Sequence, residues 1–410
     1  MTSAPLPLQD IDLINPETYR DGPPHDIFRL LRREAPVYWH EGRGFPGFWI
    51  ITKYEDVIRI SRDPQTFISG KGVGMNTDPE RADDNITAGR MMLVTDPPRH
   101  VRLRRLVNKG FTPRQIAALE PHVREIVTGI IDEASPLGEC DFVEDISAKL
   151  PLAIICEMMG VPKENWRQIF DWSNRSIGAD DPEYQTDPTA QETGRRAQME
   201  TFAYFYRLVQ ERRKEKRDDL VSILSDAEVD DERLSDEDIL LFCFLLMVAG
   251  NETTRNATTG GMLALIEHPE QRQRLMDDPS LLPSAIEEIL RWVSPVMHFA
   301  RIATQDTEIR GQPIRAGEKV VMWYPAANRD EEIFPDPYTF DVSRMPNEHL
   351  AFGIGEHFCL GASLARLELQ VMFEELLHRL PDIEPTGPVQ RLRSTLVAGI
   401  KHMPVRYTAT

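Results

Sequence analysis

Residues 235–267 constrain the fold more than any other stretch of this 410-residue chain. Ser235 is a suitable N-cap, Asp236 and Glu237 place acids in the first turn, and Pro269 ends the run. This spacing predicts one long helix. Its first half, "ILLFCFLLMVAG", is apolar; Asn251-Glu252-Thr253-Thr254 interrupts it, and "GGMLAL" resumes the apolar pattern soon after. Gly250 weakens the helix interior by roughly 1 kcal/mol relative to alanine. Thr253 is able to hydrogen-bond its own helix backbone and bend it. A carboxylate and a hydroxyl caught between apolar stretches need partners, which points to a wet internal groove beside the helix.

Amphipathic periodicity predicts further helices over about 98–110, 113–134, 163–175, 189–216, 283–292 and 361–379. Residues 36–52 read as two short strands around a Gly/Pro turn, and short strands are expected near 307–323. The acidic, proline-broken stretch 177–190 reads as a loop. The expectation is a mainly α protein with a small β region, about 36–70 and 300–325, in a single domain over 1–410. Nothing in the pattern suggests a parallel sheet.

A formal net charge of −19 disfavours nucleic acid as a partner, because a phosphate-binding surface needs excess Lys and Arg. The N-terminal twenty residues carry no continuous apolar run, so neither a signal peptide nor a membrane anchor is expected there. Cys140, Cys156, Cys243 and Cys359 lie far apart with no CxxC pair, which disfavours a zinc site or disulfide scaffold and suits a reducing cytoplasm.

Most free cysteines are small buried hydrophobes, and Cys140, Cys156 and Cys243 are read so. Cys359 differs in its surroundings. Gly353, Gly355 and Gly361 let the backbone approach a bulky object closely, and a helix begins just beyond the sulfur. Unpaired N–H groups and the positive end of a helix dipole favour a thiolate. A thiolate in a glycine-lined loop suits a nucleophile or a metal ligand. A nucleophile needs a poised base, and the position of His357 two residues away does not establish that geometry. The G-x-G here is no dinucleotide fingerprint, since it lacks a third glycine at the right spacing and a preceding strand.

The pattern Phe352-Gly353-x-Gly355-x-His357-x-Cys359-x-Gly361 resembles the haem-binding loop of the cytochrome P-450 family. The resemblance implies that Cys359 is the axial thiolate ligand of haem iron, in haem b (iron protoporphyrin IX). It implies a haem held between the long helix 235–267 and the helix after Cys359. "AGNETT" is similar to the family's oxygen-activation segment, which gives Glu252 the role of proton carrier and Thr253 that of the hydroxyl beside dioxygen. Glu288 and Arg291, three apart on one helical face, match the family's Glu-x-x-Arg pair, and Arg344 in "FPDPYTFDVSR" stands where its buried partner arginine belongs. His100 and Arg104, with Arg301 and His357, match positions that contact the haem propionates.

The resemblance extends from "DIFRLLRREAPVYW" to "GIKHMPVRY" and implies a monooxygenase that inserts one atom of dioxygen into a C–H bond. Leu245, Val248, Ala249, Val296, Phe299 and Val397 are the expected walls of an apolar substrate pocket. The closest resemblance is to bacterial hydroxylases of sterol side chains and methyl-branched lipids, with terpenoids as a further substrate class. Terminal hydroxylases of fatty acids or alkanes, and a peroxide-driven oxygenase on the same fold, are the alternatives. The chain carries no flavin or iron–sulfur segment, so electrons are expected from a separate ferredoxin and its reductase. Arg102, Arg104, Arg105 and Lys109 form the expected docking patch for it. The protein is expected to be monomeric.

Overall fold

The computed structural model describes residues 7–84, 86–229 and 232–409. Its axis is the helix Asp236–Glu267, whose N-terminus carries a capping box: the Ser235 hydroxyl accepts from the Asp238 N–H at 3.1 Å, and the Asp238 carboxylate accepts from the Ser235 N–H. Three acids in its first turn suit the dipole. Most of its length is buried, because apolar residues dominate its first half and its last turns and other helices pack around it. These are Lys149–Met158, Trp166–Ile177, Ala190–Lys214, Leu282–Val293 and Ala362–Arg379. Close approach explains the glycines of the central helix. A Cβ on Gly250 would lie 2.9 Å from Ile155 Cδ1, and one on Gly261 2.6 Å from Ile289 Cγ2.

The expected 113–134 helix is two helices, Pro113–Ala118 and Glu120–Ala134. Pro121 lacks the N–H that would continue the first, and it is tolerated in the first turn of the second, where that N–H would have no partner. Helices also form at His25–Glu34, Tyr54–Ser61, Lys149–Met158, Leu220–Asp226 and Pro269–Asp277, which periodicity did not single out. The expected loop 177–190 begins one residue later, after Ile177, and ends at Thr189, which caps Ala190–Lys214.

The β region gathers five strands into one sheet, in the order Val37–His40, Phe48–Ile51, Lys319–Trp323, His298–Ala303, Phe67–Ile68. One pairing corrects the expectation from sequence: Lys319–Trp323 runs parallel to Phe48–Ile51, with Val320 opposite Trp49. The two strands lie far apart in sequence, so no local pattern records their direction. No helix among the described residues is long and apolar enough to cross a membrane.

Beneath the sheet, the Glu288 carboxylate accepts from Arg291 Nε at 2.7 Å and Nη2 at 2.8 Å, from Arg344 Nε at 3.1 Å and from Asn347 Nδ2 at 3.0 Å. Arg291 also donates to the carbonyls of Asn328 and Pro337. This buried network ties helix Leu282–Val293 to the segment that leads into the cysteine loop.

Candidate active site

The loop before helix Ala362–Arg379 turns back on itself at Gly353 (φ +67°) and Gly355 (φ +78°), conformations that other residues resist. A Cβ on Gly355 would also fall 2.4 Å from the Ser61 carbonyl oxygen. The Cys359 N–H donates to the Phe352 carbonyl at 2.9 Å and closes the loop. Cys359 lines a cavity of about 230 Å³. Burial pushes its thiol up, against the Gly361 N–H and the charges of Arg104 and Arg366, which pull it down. A lowered thiol pKa was expected from the helix start; in the protein alone, desolvation is the larger effect.

The central helix supplies the opposite wall. Leu245, Ala249, Gly250, Thr253 and Ala257 share one face, at about 100° per residue, and all line the cavity. The Thr253 hydroxyl donates to the Ala249 carbonyl at 2.9 Å. Val296 and Phe299, on the segment leading into and along strand His298–Ala303, complete an apolar side.

Three sequence-predicted residues do not face this cavity. Glu252 sits one residue, hence about 100°, away from Thr253, and it is buried, 1% exposed. It pairs with Arg255 and accepts from Ser173 at 3.3 Å, while Arg255 donates to Asn174 at 2.8 Å. Val248 turns to the far face of its helix and packs on the apolar core. Val397 is 2% exposed and bridges Val296 from behind, so it supports the wall without lining it.

His100, Arg104, Arg301 and His357 all line the cavity, with the His100 and His357 rings 4.1 Å apart. Burial and neighbouring arginines push the two imidazoles down, to about 4 and about 2 respectively, so both are neutral near pH 7. His357 Nε2 lies 3.2 Å from the Ser69 hydroxyl, and His100 Nδ1 is buried without a partner. Arg301 donates to the Ala300 carbonyl but, like Arg104, has no carboxylate in ion-pair reach among the described residues. Arg301 is buried and Arg104 half-buried; an uncompensated guanidinium out of water is costly, so this corner suits a ligand that brings its own anions. A sulfur donor, a glycine-lined loop and unmatched cations fit haem with its two propionates.

Sequence reasoning missed two features. Glu368 lines the cavity from helix Ala362–Arg379, where burial raises its carboxyl to about 8 against a hydrogen bond from the Thr254 hydroxyl. Its signal was a lone acid within "LARLEL", one turn after the lining Leu364. Arg366 forks onto Glu287 at 2.7 and 2.8 Å while its guanidinium lies 4.6 Å from the Phe352 ring centroid, bracing the cysteine loop.

A cavity with a thiol on one side and a helix hydroxyl on the other is the arrangement of a haem-thiolate enzyme, and comparison with known proteins agrees. The family model described as Cytochrome P450 matches residues 166–390. A methyl-branched lipid omega-hydroxylase of Mycobacterium tuberculosis is 44% identical, with 98% of this chain and 96% of that protein covered. A steroid C26-monooxygenase of Rhodococcus jostii is 42% identical, with 97% of this chain and 85% of that protein covered. Among solved structures, a Mycobacterium marinum cytochrome P450 in complex with pseudoionone superposes with a TM-score of 0.91 at 38% identity, over 99% of this chain and 100% of that one.

The chain belongs to the cytochrome P450 family. It is a P450 monooxygenase, an oxidoreductase with a haem-thiolate cofactor.

Proposed function

We propose that this enzyme hydroxylates the terminal methyl region of a branched apolar chain, on a methyl-branched lipid or a sterol side chain. Two observations support the reading: the cavity wall over the cysteine is apolar, and the relatives above are named for omega- and C26-hydroxylation. Haem b held by Cys359 supplies reductive activation of dioxygen, with one oxygen atom entering a C–H bond and the other leaving as water. His100, Arg104, Arg301 and His357 would hold its propionates. Leu245, Ala249, Val296 and Phe299 orient the substrate and exclude water from it.

Thr253 places its hydroxyl at the cavity wall, where it holds a proton beside the reacting oxygen. Glu252 stands behind that wall, and as a proton carrier it serves Thr253 by a side-chain rotation that parts it from Arg255. Electrons come from a separate ferredoxin with its reductase. Arg102 and Arg105 are exposed on helix Arg99–Asn108 while Arg104 of the same helix lines the cavity, so an acidic partner docked on this helix would lie beside the cavity that would hold the haem. The Lys109 side chain lies outside the described residues.

The reading is tested by titrating branched fatty acids, sterols, terpenes and straight-chain acids into the haem-loaded protein. Displacement of water from the iron is followed by the spin-state shift, and products are identified after reconstitution with ferredoxin and reductase. Terminal alcohols from branched substrates support it. Turnover of straight-chain acids alone would transfer the assignment to fatty-acid hydroxylation.

A further inference from the structure

A second cavity, of about 250 Å³, lies away from the cysteine. It forms where the last turns of the central helix meet the end of helix Leu282–Val293, the segment around His25 and the paired strands Gln390–Arg391 and Ile400–His402. Arg329, in its wall, is 2% exposed. Its Nη2 donates to the Trp292 carbonyl at 2.7 Å and its guanidinium lies 4.8 Å from the Trp292 ring centroid, while Nη1 has no partner. Neighbouring arginines are matched: Arg32 by Glu331 and Arg291 by Glu288. Arg329 and Arg391 have no carboxylate in ion-pair reach among the described residues, and burial lowers both, Arg329 to about 9.

His25 lines the same cavity, and its buried Nδ1 is unpartnered. Burial and the surrounding arginines push its pKa well down, so the ring is neutral and adds a polar atom but no charge. Asp21 and Glu267 also line the cavity; both are exposed, and they act on Arg391 only through space. Leu263, Ala264 and Ile400 make the remaining wall apolar. A guanidinium this buried, with a free N–H and no counter-ion, is an expensive arrangement unless an anion completes it.

We propose that this cavity binds an organic monocarboxylate with an apolar body, its head on Arg329 and Arg391 and its tail along Leu263, Ala264 and Ile400. The two exposed acids repel a second negative charge, and the apolar wall gives phosphate or a nucleotide nothing to bind. The site is separate from the haem cavity and does not depend on the substrate reading above.

The test uses the haem-loaded protein. Crystals are soaked with ω-bromohexanoate and the bromine is located by anomalous scattering. Hexanoate is titrated calorimetrically into the native protein, Arg391→Gln and Ala264→Leu, with the haem spectrum recorded at each point. The expected result is bromine beside Leu263 and Ile400, one site per chain, and no spin-state change. Binding should weaken about ten- to a hundredfold in Arg391→Gln, as loss of a charge-assisted hydrogen bond implies, and be blocked in Ala264→Leu. Should Arg391→Gln fail to fold, Ala264→Leu removes space without touching a charge and decides the matter together with the bromine position. Bromine confined to the haem cavity, equal affinity in the folded variants, or no binding overturns the proposal.

Discussion

Replacing Glu288 by alanine removes the acceptor for Arg291, Arg344 and Asn347 at once and leaves Arg291, 0% exposed, without its counter-charge. Breaking a buried ion pair from one side costs about 3–5 kcal/mol. Unfolding entropy of about 2.1 cal/mol/K per residue over 410 residues gives roughly 0.9 kcal/mol/K, so a loss of about 4 kcal/mol lowers Tm by about 5 °C. The control is Glu384→Ala, which removes an exposed pair with Arg406 and should shift Tm by about 1 °C or less. Scanning calorimetry on the haem-loaded proteins measures both. A double replacement, Glu288→Leu with Arg291→Met, should recover part of the loss, because the fully buried Arg291 charge goes with its partner and only Arg344, which keeps the carbonyls of Pro335, Asp336 and Thr339, loses its carboxylate. Equal shifts in the two single variants, or no shift for Glu288→Ala, would refute the reasoning that burial makes this network costly to break.

Thr253→Ala should keep electron consumption while diverting it to peroxide, measured as peroxide released per NAD(P)H oxidised; full coupling removes the role given to the hydroxyl. Ala249→Phe should abolish the substrate-induced spin shift by filling the cavity, whereas Val248→Phe, on the far face, should leave substrate affinity within about threefold; the reverse order would mean that the helix face is misassigned. Glu368 has a folded pKa raised to about 8 from 4.5, so its contribution to stability is present below pH 4.5 and is lost as pH rises through 8. Chemical denaturation from pH 5 to 9 should therefore show Glu368→Gln gaining on the native protein with rising pH, and a constant gap contradicts the burial argument.

What the sequence disclosed and what it hid follow from the range of the interactions involved. The ends of the central helix were legible because Ser235, Asp236, Glu237 and Pro269 act within one turn of where they stand. The cysteine loop was legible because glycine spacing reports backbone conformation directly, and Gly353 and Gly355 do take positive φ. The break at Leu119 needed only the proline rule applied to Pro121. The orientation of Glu252 was hidden: it and Thr253 are neighbours pointing about 100° apart, and the side that meets the cavity is set by Ser173 and Asn174 on another helix. The backing role of Val397, the parallel pairing of Lys319–Trp323 and the burial of Glu368 depend likewise on partners distant in sequence.

The central claim is the bond from the Cys359 sulfur to haem iron, and the reduced, carbon monoxide-treated difference spectrum addresses it most directly. The native protein should absorb at the wavelength typical of thiolate-ligated haem, and Cys359→His should move the band to that typical of histidine ligation. A histidine-type band in the native protein, or a native spectrum retained in Cys359→His, would contradict the account.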